Sequence, residues 1–168
     1  LLDKDGQAYV TDFGLARDMS GPVHLTKSGE LLGTPQYMAP EQIRGQSENV
    51  GEATDVYGLG LLLYEMLCGR PAFVASSMAD MLVKSLHEMA IPLRELDRRI
   101  PVDLETICFR ALEKAPERRY ASVAAMLEDV RRWESGEPLL AKRPGVVQKS
   151  CRWLAKHWKI GLTAMITA

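Results

Sequence analysis

The sequence predicts a mainly α-helical domain, opened by a short β-hairpin and a long loop and built around one buried central helix. Three observations carry that reading. Residues 56–67 include Leu59, Leu61, Leu62, Leu63, Met66 and Leu67, apolar on every side, the pattern of a helix enclosed in a core and too short to span a bilayer. Downstream, Leu104, Ile107, Cys108, Ala111 and Leu112 recur at i, i+3, i+4, i+7 and i+8 and mark one apolar helix face. Between the hairpin and these helices, residues 15–38 are rich in Ser, Thr, Gly and charge, with little periodicity. A loop of that length inside a compact domain tends to be functional.

Each element has a local reason. Leu1-Leu2 and Ala8-Tyr9-Val10 are short apolar runs, and Asp3-Lys4-Asp5-Gly6 between them carries an Asp-Gly turn signal, so residues 1–14 read as a hairpin ending in a turn. Residues 39–135 are helical in pattern. Gly69 stops the central helix and Arg70-Pro71 prevents its restart. Ser77-Met-Ala-Asp80 resembles an N-terminal cap, followed by Met81, Leu82, Leu86 and Met89. Pro101 fits the first turn of the next helix. Ser122 begins a last helix, with Met126, Leu127, Val130 and Trp133 inward and an end near Gly136.

Composition narrows the function. The 168 residues suit one domain, and 46% apolar with 26% charged residues is ordinary globular usage. Lys plus Arg number 21 against 22 Asp plus Glu, a net charge of −1, which rules out a whole-chain basic field for nucleic acid and an acidic tail. Cys68, Cys108 and Cys151 are odd in number and far apart. They fit neither a disulfide framework nor a zinc site, and a reducing compartment follows, with buried apolar thiols as the plain reading. No signal-peptide pattern opens the sequence. A start on Leu1-Leu2 and an end inside an apolar run give the expectation of a piece of a longer chain.

Four motifs carry the chemistry. Asp12-Phe13-Gly14 follows the hairpin, and Ala39-Pro40-Glu41 closes the stretch Gly33-Thr34-Pro-Gln-Tyr-Met-Ala-Pro-Glu41. Asp55-Val-Tyr-Gly-Leu-Gly60 opens the central helix, and Pro116-Glu-Arg-Arg119 closes the helix that starts near Pro101. In this order and spacing the set resembles the C-terminal lobe of the protein kinase family, of the bacterial eukaryotic-like (Hanks-type) Ser/Thr kind, over about residues 1–135. The implied fold is mainly α, within a kinase that is α+β overall.

The resemblance assigns roles residue by residue. Asp12 would be a catalytic residue that ligates the Mg²⁺ on ATP, a hard carboxylate for a hard cation. Phe13 would pack in the core and set whether Asp12 faces in or out, and Gly14 would let the backbone swing. The bland alternative for Asp12 is a turn or cap aspartate. Ser20, Thr26, Ser28 and Thr34 are hydroxyls of the activation and substrate-docking loop. Thr26 and Ser28 stand where bacterial relatives autophosphorylate, which implies a kinase homodimer, and Arg17 is the phosphate partner; solvated loop hydroxyls are the alternative. Thr34 would contact the catalytic base and mark Ser/Thr specificity. Glu41 and Arg119 should form a buried ion pair, with Arg118 the adjacent alternative, and Asp55 would cap the central helix and bind backbone of the catalytic loop. Ala115 and Tyr57-Gly58 are small departures from the family pattern. The family's Gly-rich loop, strand Lys with its helix Glu, and catalytic-loop Asp and Asn do not occur in these residues.

The last stretch has a different character. Residues 136–159 accumulate Lys142, Arg143, Lys149, Arg152, Lys156 and Lys159, with Trp153 and Trp158 among them, and residues 160–168 are apolar. This reads as a basic juxtamembrane linker followed by the start of a transmembrane helix, placing a cytoplasmic kinase domain on the cell membrane; an amphipathic helix packed on the domain is the alternative. The expectation is part of a Ser/Thr protein kinase using ATP and Mg²⁺ on protein substrates, with no nucleic-acid partner, and inactive as the isolated chain. A pseudokinase or membrane-tethered docking module is the competing reading.

Overall fold

The computed structural model describes residues 3–7, 9 and 35–141. Among the described residues six α-helices run in chain order: α1 (Pro40–Ile43), α2 (Glu52–Cys68), α3 (Met78–His87), α4 (Leu93–Leu96), α5 (Val102–Ala111) and α6 (Val123–Ser135). A short 3₁₀ turn at Pro35–Tyr37 precedes α1, and others at Ser47–Asn49 and Pro116–Arg118 lie between α1 and α2 and between α5 and α6. No strand occurs among the described residues, so the mainly helical reading holds for them. Of the expected hairpin, the turn is described: Asp3 Oδ1 accepts from the amides of Asp5 and Gln7 at 2.9 and 2.8 Å, and the Gly6 amide donates to the Asp3 carbonyl. Its two apolar runs fall almost wholly outside the described residues.

Helix α2 is the axis, with α5, α6 and α4 packed against it. One apolar cluster joins Tyr57, Leu61 and Tyr64 of α2 to Phe73, Leu93, Cys108 and Leu112. A second joins Val56 to Leu104, Ile107, Ala111, Tyr120 and Met126. The α2–α5 crossing is close because position 60 is glycine: a Cβ there would stand 2.8 Å from the Ala111 Cβ. Gly69 ends α2 at φ +70°, a left-handed conformation that side chains with a Cβ resist. Ser77 and Ser122 cap α3 and α6, each accepting at 3.1 Å from the amide three residues on.

Four expectations are corrected. Helix α2 is not buried all round: Leu59, Leu62 and Met66 are exposed, Met66 at 75%. They share one stripe of the helix, and the described neighbours pack on its other faces. Leu127 of α6 and Met89, just past α3, also face outward. Pro116–Arg119 does not close α5, which stops at Ala111; Pro116–Arg118 forms a separate 3₁₀ turn that Arg119 follows. The cap of α2 is Gly51 and not Asp55, which lies exposed in the first turn.

Residues 139–141 fold back onto the body. Buried Asp129 accepts hydrogen bonds from the Leu140 and Ala141 amides at 2.7 and 2.9 Å and from the Tyr120 hydroxyl at 2.8 Å. Ala141 joins the second cluster, with Leu139 packed beside it. The first residues of the stretch read as a linker are thus fastened to α5 and α6. Residues 142–168, with the expected membrane segment, lie outside the described residues.

Candidate functional site

The Pro35–Tyr37 turn and α1 form a short platform held from three sides. Pro40 suits the first helical position, where no amide hydrogen is needed. The Gln42 side chain reaches back to accept from the Ala39 amide at 2.9 Å. Tyr37 donates to Glu65 of α2 at 2.8 Å; that bond, with partial burial and the carboxylate's charge, raises the phenol's pKa. Ser85 of α3, itself buried, donates to the Met38 carbonyl at 3.3 Å.

Under the platform stands the Glu41–Arg119 pair. Both side chains are essentially sealed from solvent, at 1% and 0% exposure. The guanidinium meets the carboxylate as a fork, Nη1 to Oε1 and Nη2 to Oε2, both at 2.7 Å. Its remaining donors reach the carbonyls of Glu113, Ala53 and Lys114 at 2.8, 2.8 and 3.2 Å. All five guanidinium N–H groups are therefore used. Thr54 supplies a further contact: its hydroxyl donates to Glu41 Oε1 at 2.8 Å and accepts from the Gly51 amide at 3.1 Å. Burial alone would raise the Glu41 pKa; the Arg119 fork, a backbone bond and Thr54 outweigh it and hold the carboxyl below its usual range. The Arg119 guanidinium lies over the Tyr57 ring at 4.7 Å. Burial pushes the Tyr57 phenol up to about 12, so it stays protonated.

The structure thus brings Glu41 and Arg119 together and leaves Arg118 exposed. Asp12, Phe13, Gly14, Arg17, Ser20, Thr26, Ser28 and Thr34 lie outside the described residues. Thr54 and Lys114 were missed by the sequence reading. Thr54 looks like any residue in a helix's first turn, and Lys114 like any surface lysine. Of the thiols, Cys108 is buried, which raises its pKa, Cys68 is half-buried, and both are free; Cys151 is outside the described residues. No group of three or more His, Cys, Asp or Glu among the described residues could hold a metal ion.

Comparison with known proteins agrees with this architecture. The protein kinase domain model matches residues 1–130. The chain is 40% identical over 138 residues to the serine/threonine-protein kinase PknB of Mycobacterium leprae, covering 82% of this chain and 22% of that protein. It is 39% identical over 126 residues to the DNA damage-responsive serine/threonine-protein kinase RqkA of Deinococcus radiodurans, covering 75% of this chain and 19% of that one. The chain belongs to the protein kinase family, and its relatives are bacterial serine/threonine kinases of the Hanks type. It spans about a fifth of the length of these curated relatives.

Proposed function

We propose that this chain supplies the activation loop, substrate platform and helical body of a serine/threonine protein kinase. The observation that carries this is the sealed Glu41–Arg119 pair, which fixes the platform that follows Thr34 to the α2–α5 core. The reaction is in-line transfer of the ATP γ-phosphoryl group to a protein Ser or Thr hydroxyl. Asp12 is the metal-binding residue in this reading, and its hard carboxylate suits Mg²⁺. Mg²⁺ neutralises charge on the transferring group when bound. Thr34 contacts the catalytic base and marks Ser/Thr specificity, and phosphorylation of Thr26 and Ser28 orders the loop by adding charge that Arg17 pairs. Autophosphorylation between two copies installs those phosphates.

The basic residues, Trp153 and Trp158 ahead of the apolar residues 160–168 support a juxtamembrane linker and membrane anchor, with the kinase domain on the cytoplasmic side. Among the described residues no helix is long and apolar enough to cross a membrane. Membrane fractionation of cells expressing the full-length protein, with and without residues 160–168, tests the anchor; an unchanged soluble distribution would remove it.

The central experiment incubates the full-length protein with γ-labelled ATP and Mg²⁺ beside an Asp12→Ala variant. Label on Thr26 or Ser28 that vanishes in the variant supports a self-activating kinase. A folded full-length protein that takes up no label and phosphorylates no peptide would replace this reading with a docking module.

A further inference from the structure

Lys114 occupies an unusual position for a lysine. It follows α5, and its Nζ lies 4.4 Å from the Phe73 ring centre and 5.6 Å from that of Tyr57. The same nitrogen donates to the Ser85 carbonyl and to the Tyr57 hydroxyl, the latter at 3.2 Å. The Ser85 carbonyl belongs to the last turn of α3, where helical carbonyls lack partners within the helix. Ser85 in turn holds the Met38 carbonyl through its hydroxyl. One amine therefore connects the aromatic floor of α2, the end of α3 and the start of the platform.

We infer that Lys114 is a positioning residue for the substrate platform, setting the height of Met38–Glu41 on the core through the end of α3. The inference rests on the kinase reading for its functional consequence, and on geometry alone for its mechanical one. The charged and titratable groups around the amine are Arg119 beside the 3₁₀ turn, Arg44 after α1, Glu88 after α3 and Tyr57 of α2. Among the described residues Lys114 forms no ion pair within 4 Å, and burial, with Arg119 and Arg44, pushes its pKa down to about 7. Glu88 opposes this weakly. The sign follows from linkage. A closed platform holds the amine at its lowered pKa, whereas an opened one returns it to the ordinary lysine value. Closure therefore tightens as pH rises above about 7, by up to roughly tenfold per pH unit for one proton. The neutral amine keeps two N–H donors, which match the Ser85 and Tyr57 oxygens.

The test compares wild-type, Lys114→Met and Lys114→Arg in the full-length protein. Amide exchange in the methionine variant should lose about tenfold protection at residues 86–88 and 39–43, while residues 104–108 stay within about threefold. A uniform loss across all three regions, or none, would overturn the inference. With a peptide substrate, KM should rise about tenfold and kcat fall by less than threefold; unchanged KM counts against it. Protection at residues 86–88, corrected for intrinsic exchange, should rise with pH from 7 to 9 in wild type and stay flat in the arginine variant, whose charge does not titrate. Equal slopes in the two proteins would refute it even if the methionine variant fails to fold. An absence of phosphotransfer in wild type would fail the kinase reading alone, since the exchange data decide the mechanical inference.

Discussion

Arg119→Met removes the fork from a carboxylate that has no water to turn to. Glu41 then keeps only the Thr54 hydroxyl among its side-chain partners, and the carbonyls of Ala53, Glu113 and Lys114 lose a shared donor. Breaking a buried pair from one side costs about 3–5 kcal/mol. For a domain of this size that is a fall in Tm of roughly 6–20 °C. Glu41→Gln should cost a similar amount by leaving the guanidinium uncompensated. The double variant Glu41→Leu with Arg119→Met should be more stable than either single one, because an apolar pair removes both desolvation penalties.

The pH dependence separates this mechanism from simple loss of packing. In the wild type the folded Glu41 pKa lies below its unfolded value. Its contribution is present above the unfolded pKa, about 4.5, and is lost as pH falls through the folded one. Without Arg119 only a backbone bond and Thr54 oppose burial, the largest of the causes, so the folded pKa should rise and the penalty should grow as pH rises. The gap between wild type and Arg119→Met must therefore be wider at pH 7 than at pH 4.5. Urea unfolding of the four proteins at both pH values measures it. A single variant within about 1 kcal/mol of wild type at pH 7, or a gap that does not narrow at pH 4.5, would refute the reasoning.

Gly60→Ala places its methyl 2.8 Å from Ala111 Cβ and should cost about 1–3 kcal/mol by prying α2 from α5, read by urea midpoint. Leu61→Ala, at 3% exposure, should cost about 2–5 kcal/mol, whereas Met66→Ala, at 75%, should change stability by less than about 0.5 in the same titration. Asp129→Ala strands two backbone amides and a phenol and should cost about 2–4 kcal/mol, with faster proteolytic cleavage after Gly136. The isolated 168-residue polypeptide should transfer no phosphate from ATP to a peptide, a result checked with labelled ATP beside the full-length protein.

The helical body was legible because its signals are local. Ser77, Gly69, Ser122 and Gly136 punctuate helices by capping chemistry that depends on only a few neighbouring residues. The face through Leu104, Ile107, Cys108, Ala111 and Leu112 is buried throughout, as its spacing implies. Helix α2 shows where that logic stops. A run apolar on every side says that all faces tolerate burial, not which ones have neighbours, and the described residues leave the Leu59–Leu62–Met66 stripe exposed. Four-residue helices such as α1 and α4 are too short to leave a periodic signature. Asp55 was misread because an acid in a first turn and an acid at a cap look alike in sequence, and only the backbone of Gly51 separates them.

The site was legible only where its residues belong to motifs. Glu41 and Arg119 stand 78 positions apart, and only the motif pattern, not local chemistry, joins them in sequence. Their neighbours Thr54, in the first turn of α2, and Lys114, in the α5–α6 connection, have no pattern of their own. The geometry explains the difference. Arg119 binds the platform, the start of α2 and the carbonyls just before the 3₁₀ turn with one rigid fork, so its position in space is over-determined. An apolar replacement could fill that volume but could not fix three backbone segments in register. The buried pair therefore ties the platform, the start of α2 and the α5–α6 connection to one another, and under the proposed kinase reading that tie would hold a peptide-presenting surface at fixed height.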